Sequence, residues 1–176
     1  LACLLVLLAS GLSLAAAYHG HGIFGRASAL GLHVAFAGYG FMGLLVLGFS
    51  YILVPMFALS ESPAQAPALA SAAAAIGALG LAGLASFGTS PATLWPAAIG
   101  LGLAALGVHV ALMVRAQRTG MRRKLGRPLV LVRIGWAMLV LGLVAALGIA
   151  LDAPLDGLAT LFGVLLIVGW LLTFLL

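Results

Sequence analysis

The stretch SPAQAPALASAAAAIGALGLAGLASFGTSPATLWPAAIGLGLAALGVHVALMV, residues 62–114, contains no Asp, Glu, Lys or Arg. A helix advances roughly 1.5 Å per residue and the hydrocarbon of a bilayer is roughly 30 Å thick, so one crossing takes about 20 apolar residues. This run therefore holds two crossings, turned back on each other by the tight GTSPAT segment at 88–93. The rest of the chain is similar. Of 176 residues, 65% are hydrophobic and 6% charged, a balance that no water-soluble domain of this length presents to solvent. The charges are clustered at Arg26, Glu61, a group from Arg115 to Arg133, and the pair Asp152 and Asp156.

With charge, proline and turn residues as punctuation, the sequence predicts one all-α domain over 1–176, a polytopic transmembrane helix bundle of about six spans. They are placed near 1–18, 29–58, 67–87, 93–115, 129–151 and 157–176. Residues 1–18 are apolar and end near small residues, as a signal peptide does, but the positively charged start is missing, so a retained span is expected. The chain begins with Leu and stops while still apolar, and a piece of a longer protein is expected.

A formal charge of +5 would point to nucleic acid in a soluble protein. Here seven of the eight cations lie between Arg115 and Arg133, six of them in the connection RAQRTGMRRKLGRP. Lys and Arg are retained in cytoplasmic loops, so this is a topology signal: the bilayer is the partner and no nucleic acid is expected. Both ends of the chain are then cytoplasmic, with His19, His21, Arg26, Asp152 and Asp156 outside, and the expected location is the cell inner membrane. The single cysteine, Cys3, excludes an intrachain disulfide and a multi-cysteine metal site.

The third span is built largely of Ala, Gly and Ser, with Gly77, Gly80 and Gly83 at helical spacing. Small residues let helix backbones approach closely in lipid, so this span is expected to be buried among neighbours. Trp95 and Arg133 sit where interfacial anchors belong.

An imidazole in hydrocarbon needs a hydrogen-bond partner or a metal, which makes His33 and His109 the most informative residues. From His33, helical spacing reaches Ala37, Gly40, Leu44, Gly48, Tyr51 and Pro55. That face is nearly flat beyond the histidine, and it suits either a neighbouring helix or a porphyrin plane.

The stretch GLHVAFAGYGFMGLLVLGFSYILVPMF, residues 31–57, resembles helix two of the catalytic subunit of haem-copper oxidases. There a histidine near the outer face ligates haem and a GNYLVP-like segment ends the helix; here the matching words are His33 and GFSYILVPMF, with Pro55 falling 22 residues after the histidine. The same pattern is similar to that of the multi-span haem- and copper-containing proteins associated with nitric oxide response. The likeness covers about 25 residues. It implies haem as cofactor, His33 as axial ligand, Gly40 and Tyr51 flanking the macrocycle, and respiratory electron transfer or nitric oxide and oxygen chemistry with other membrane subunits or a redox partner. The asparagine of the family's turn is absent, and so are the paired histidines that hold copper and the second haem, so copper would need ligands from outside this chain and oxygen reduction is not assigned.

Counted from the span centres, His33 lies about 15 Å outward and His109 about 6 Å inward, too far apart for one iron. His109 is expected to hydrogen-bond a neighbouring span or the inner water layer. His19 and His21 form an H-x-H pair; in extended backbone both rings point the same way and would grip one copper or zinc ion, although two ligands make a weak site and a solvated loop is the expectation. Arg26 is expected first as an interfacial anchor, and its guanidinium also matches a haem propionate. The three carboxylates all fall in connections and no phosphate loop is present, which excludes hydrolytic and phosphoryl-transfer chemistry as readings. The competing expectation is a non-catalytic membrane subunit or small-solute permease whose histidines pack.

Overall fold

The computed structural model describes residues 1–21, 25–88, 90–121 and 126–175, and among these there are helices and turns but no strand. Six rods follow in chain order: α1 (Ala2–Tyr18), α2 (Arg26–Ala58), α3 (Gln65–Ser86), α4 (Pro91–Thr119), α5 (Arg127–Ala150) and α6 (Leu158–Leu175). Five of them, α2 to α6, have the length and apolarity to cross a membrane; α1, at 17 residues, is a shorter apolar helix, about 25 Å long. The boundaries fall where the sequence carries punctuation. Pro91 and Pro128 sit in the first turns of α4 and α5, where their missing N–H removes no helical bond. Gly157 enters α6 with φ +76°, a conformation open to a residue without Cβ.

The ends differ in one respect from expectation. Helix α4 continues to Thr119, a full turn into the basic connection, so Arg115 and Arg118 ride on a helix end rather than in a loop. Gln117 on that turn is buried, and its Oε1 accepts a hydrogen bond from Arg133 Nε of α5 at 2.6 Å. Arg133 thus links two helices as well as standing at the surface. Arg122, Arg123 and Lys124 lie outside the described residues.

Helices α2 to α6 close a ring. Contacts run from α2 to α3, α3 to α4, α4 to α5 and α5 to α6. The ring shuts where α6 returns to α2: Leu166 lies against Gly38, and the Trp170 ring stacks on Tyr39 with centroids 5.9 Å apart and planes 17° from parallel. Both helices are locally wound as π-helix there, over Ala35–Gly43 in α2 and Leu165–Leu172 in α6. Helix α1 packs along α2.

Small residues bring α3 and α4 together. Ser71 Oγ donates to the Ala105 carbonyl at 2.9 Å, and a Cβ at Gly77 would stand 3.3 Å from Leu101. The expected burial of α3 among neighbours holds on the sides facing α4 and α2, where Gly83 meets Phe36, whereas Leu69, Ile76 and Leu84 are exposed and nothing lies within 4 Å of a Cβ placed at Gly80. Phe49, Ile52, Val144 and Ile167 likewise point outward. Apolar side chains on the outside of a bundle are stable only against lipid.

At the end carrying the basic connection the ring is plugged by Val54, Met113, Leu129 and Trp136. Met121 N donates to the Leu59 carbonyl at 3.3 Å, and Gly120 presses directly on the Ala58 backbone.

Candidate functional site

His33 lies in the seam between α1 and α2. Its Nδ1 is 3.2 Å from Ser10 Oγ, and Ser10 Oγ is also 3.0 Å from the Leu7 carbonyl oxygen. The Ser10 hydroxyl has one hydrogen: it either donates it to His33 Nδ1, or gives it to Leu7 and accepts from a protonated Nδ1, and the distances fit both tautomers. In the second arrangement Nε2 is the bare nitrogen, the one available to a metal. The ring is also in close contact with α1: a Cβ at Gly11 would stand 3.2 Å from His33 Cε1.

The stripe counted at helical spacing from His33 does not stay on one face. Gly40 still faces α1, where its Cα side meets Cys3 Sγ (3.2 Å from a built Cβ) and Leu79 of α3 (3.5 Å). Tyr51, further on, instead meets His109 of α4 edge-on, with ring centroids 5.0 Å apart. The cause is the π segment: each π turn takes more residues than an α turn, and one extra residue rotates everything beyond it by about 100°. Arg26 precedes the π segment, two α turns ahead of His33 on the same face, and is exposed.

His19 and His21 are exposed and bracket Gly20, whose φ is +81°. The amides of His19 and His21 both bond the Ala16 carbonyl, so this segment is the C-terminal turn of α1 and not the extended backbone that H-x-H pairing assumes. His21 Nδ1 is engaged by the His19 carbonyl at 2.8 Å. Among the described residues no three His, Cys, Asp or Glu side chains come together as a metal-binding group.

A concavity lies inside the ring, and His33 is not among its lining residues. It has a volume of about 930 Å³ and runs from Ala27, Pro91 and Asp152, away from the basic connection, to His109 and to Trp136 of the plug. Its walls are mainly Ala, Leu and Gly. His109 is 3% exposed, sits edge-on between the rings of Tyr51 and Trp136 (centroids 5.0 and 5.8 Å), and neither of its nitrogens has a protein partner. The hydrogen bond expected for it from a neighbouring span is therefore not made by the described residues. Tyr39 Oη, Trp136 Nε1 and Trp170 Nε1 are likewise buried without partners, and all three side chains line the same cavity. Sequence reasoning singled out Tyr39 as an ionisable group within a span but passed over Trp136 and Trp170 as polar groups. The available signal was their chemistry, since tyrosine and tryptophan in the middle of a span carry a polar hydrogen that lipid cannot satisfy.

No family model, curated protein or solved structure matches the chain.

Proposed function

We propose that this multi-span membrane protein is a haem protein similar to the catalytic subunit of haem-copper oxidases, with His33 as the axial ligand through Nε2. The Ser10 hydroxyl 3.2 Å from His33 Nδ1 supports the reading, because a metal-bound histidine characteristically donates its other ring N–H to a neighbouring oxygen. Arg26, on the same face, is the propionate partner in this proposal, and haem would supply electron transfer or nitric oxide and oxygen chemistry. With the basic connection cytoplasmic, both ends of the chain are on the inside of the cell inner membrane and His33 lies toward the outer leaflet.

A second reading has its own support. The close approach of Gly11 to the His33 ring and the hydroxyl partner already in place also describe a packing histidine, as in a non-catalytic subunit or a small-solute permease. Expression with haem supply separates the two. The haem reading expects a Soret band in the purified protein that His33→Ala abolishes and Ser10→Ala shifts or weakens, whereas a colourless wild-type protein, or a band unchanged in His33→Ala, leaves the packing reading standing.

A further inference from the structure

We propose that the seam between α4 and α5, at the end carrying the basic connection, binds the headgroup of an anionic phospholipid through Arg133, Arg118 and Arg115, with Gln117 orienting the Arg133 guanidinium. The proposal rests neither on haem at His33 nor on a ligand in the ring cavity, which none of these four residues lines.

The geometry starts at Gln117. Its side chain is 5% exposed, and an atom of its amide stands 2.6 Å from Arg133 Nε. Arginine can only donate, so that atom is the oxygen. A guanidinium carries five N–H groups; Nε gives its one to Gln117, and the four on the two Nη nitrogens have no protein partner among the described residues. The buried amide holds the planar group at the helix seam, while Arg133 itself is exposed. A fixed guanidinium with its outer edge free matches two oxygens of a phosphate.

Position and charge name the anion. Arg133 lies six residues past Arg127, the first residue of α5, about 9 Å along the axis. Val130 and Ile134 beside it are exposed, so the cation stands among side chains that face lipid, where it needs a counter-charge. The chain has three carboxylates, Glu61, Asp152 and Asp156, and among the described residues none pairs with Arg115, Arg118 or Arg133. Arg118 directly follows Gln117, Arg115 precedes it by one turn on the same face, and both are exposed. Three cations without an anion favour a headgroup of net negative charge over a zwitterionic one, whose ammonium they repel.

The acyl chains also have a place to lie. Inward from Arg133, α5 presents Ala137, Val140 and Val144; inward from Arg115, α4 presents Ala111 and Gly107, and all five are exposed. Nothing on another helix comes within 4 Å of a Cβ built at Gly107, so the small α4 residues leave room for a chain.

The test is a titration of the purified chain in neutral detergent with dioleoylphosphatidylglycerol, followed by thermal melting. A saturable rise in melting temperature is expected, with no rise from dioleoylphosphatidylcholine at the same mole fraction or from millimolar inorganic phosphate. Arg133→Gln is expected to raise the half-saturating fraction of phosphatidylglycerol about fivefold, the factor that one cation near a membrane surface contributes. Arg118→Gln, at an exposed side chain without a protein partner, leaves folding intact and is expected to raise it by a similar factor. Gln117→Leu keeps every charge and releases the guanidinium, and a smaller rise is expected. Arg127→Gln removes a charge from another face of α5 and is expected to leave the midpoint near wild type. Equal stabilisation by the two phospholipids would overturn the proposal. So would equal shifts in Arg127→Gln and Arg133→Gln, which would mean diffuse attraction, or stabilisation by inorganic phosphate, which would mean a site for a free ion. His33→Ala is expected to leave the titration unchanged, and Arg133→Gln to leave any Soret band in place, so this proposal and the haem reading fail independently.

Discussion

Two histidines on neighbouring helices face opposite circumstances. His33 lies in a tight seam where α1 supplies a hydroxyl partner and a glycine to make room for its ring. His109 lies in the open interior of the ring, flanked by aromatic edges that offer its nitrogens nothing. The first imidazole completes a helix interface, while the second sits at the floor of a cavity with unused hydrogen-bonding capacity. The comparison teaches that burial alone does not tell how a histidine in a membrane is satisfied: one ring has a hydroxyl 3.2 Å away and the other has no protein partner among the described residues.

The largest effect is expected at the plug that gives the cavity a floor. A Cβ at Gly120 would collide with the Ala58 carbonyl, a backbone group that no rotamer change moves aside. Gly120→Val is expected to destabilise the protein by about 3 kcal/mol or more and to splay α4 from α2 at the basic end. Thermal denaturation in detergent reads the loss, and a melting temperature equal to wild type would show that the floor is not closed in this way.

Next in size, and sharpest for the comparison, is a pair of substitutions with opposite signs. His109→Leu removes an imidazole with no partner, and in ligand-free protein it is expected to stabilise by about 1–2 kcal/mol. His33→Leu removes a partnered imidazole and is expected to destabilise by about 1 kcal/mol, since hydrogen bonds between membrane helices contribute about 0.6–2 kcal/mol. Chemical denaturation of both variants without haem tests the signs. Two shifts in the same direction would erase the distinction drawn between the sites.

Most of the scaffold was legible in the sequence because lipid imposes one simple constraint: apolar runs of sufficient length must be helices. The six segments fall within a few residues of their expected places, and the excess of α4 over its expected end has a local cause, the buried Gln117 and its bond from Arg133. Side-chain direction was less legible. A stripe drawn at 3.6 residues per turn from His33 assumes an unbroken α-helix, and the π segment Ala35–Gly43 rotates Tyr51 off that stripe and onto His109. The metal-pair alternative for His19 and His21 assumed extended backbone, whereas Gly20 turns the chain there and the solvated segment that was expected is what stands. The cavity left no single-residue signature either, because its lining is drawn from five helices whose mutual placement depends on long-range packing.

The smallest effect belongs to Gly11, where the seam is closest. A methyl group at this position would stand 3.2 Å from His33 Cε1, near enough that the ring must shift by a few tenths of an ångström. Because the contact is with the edge of a side chain rather than with backbone, Gly11→Ala is expected to cost no more than about 1 kcal/mol, partly offset by the gain in helix propensity over glycine. The informative readout is the state of the imidazole. Nitrogen NMR of the histidine ring in Gly11→Ala is expected to show Nδ1 weakened in its bond to Ser10 while the His109 signals stay in place. Equal perturbation of both rings would mean that the seam and the cavity are coupled through α2, and the two histidines would then have to be read as one site.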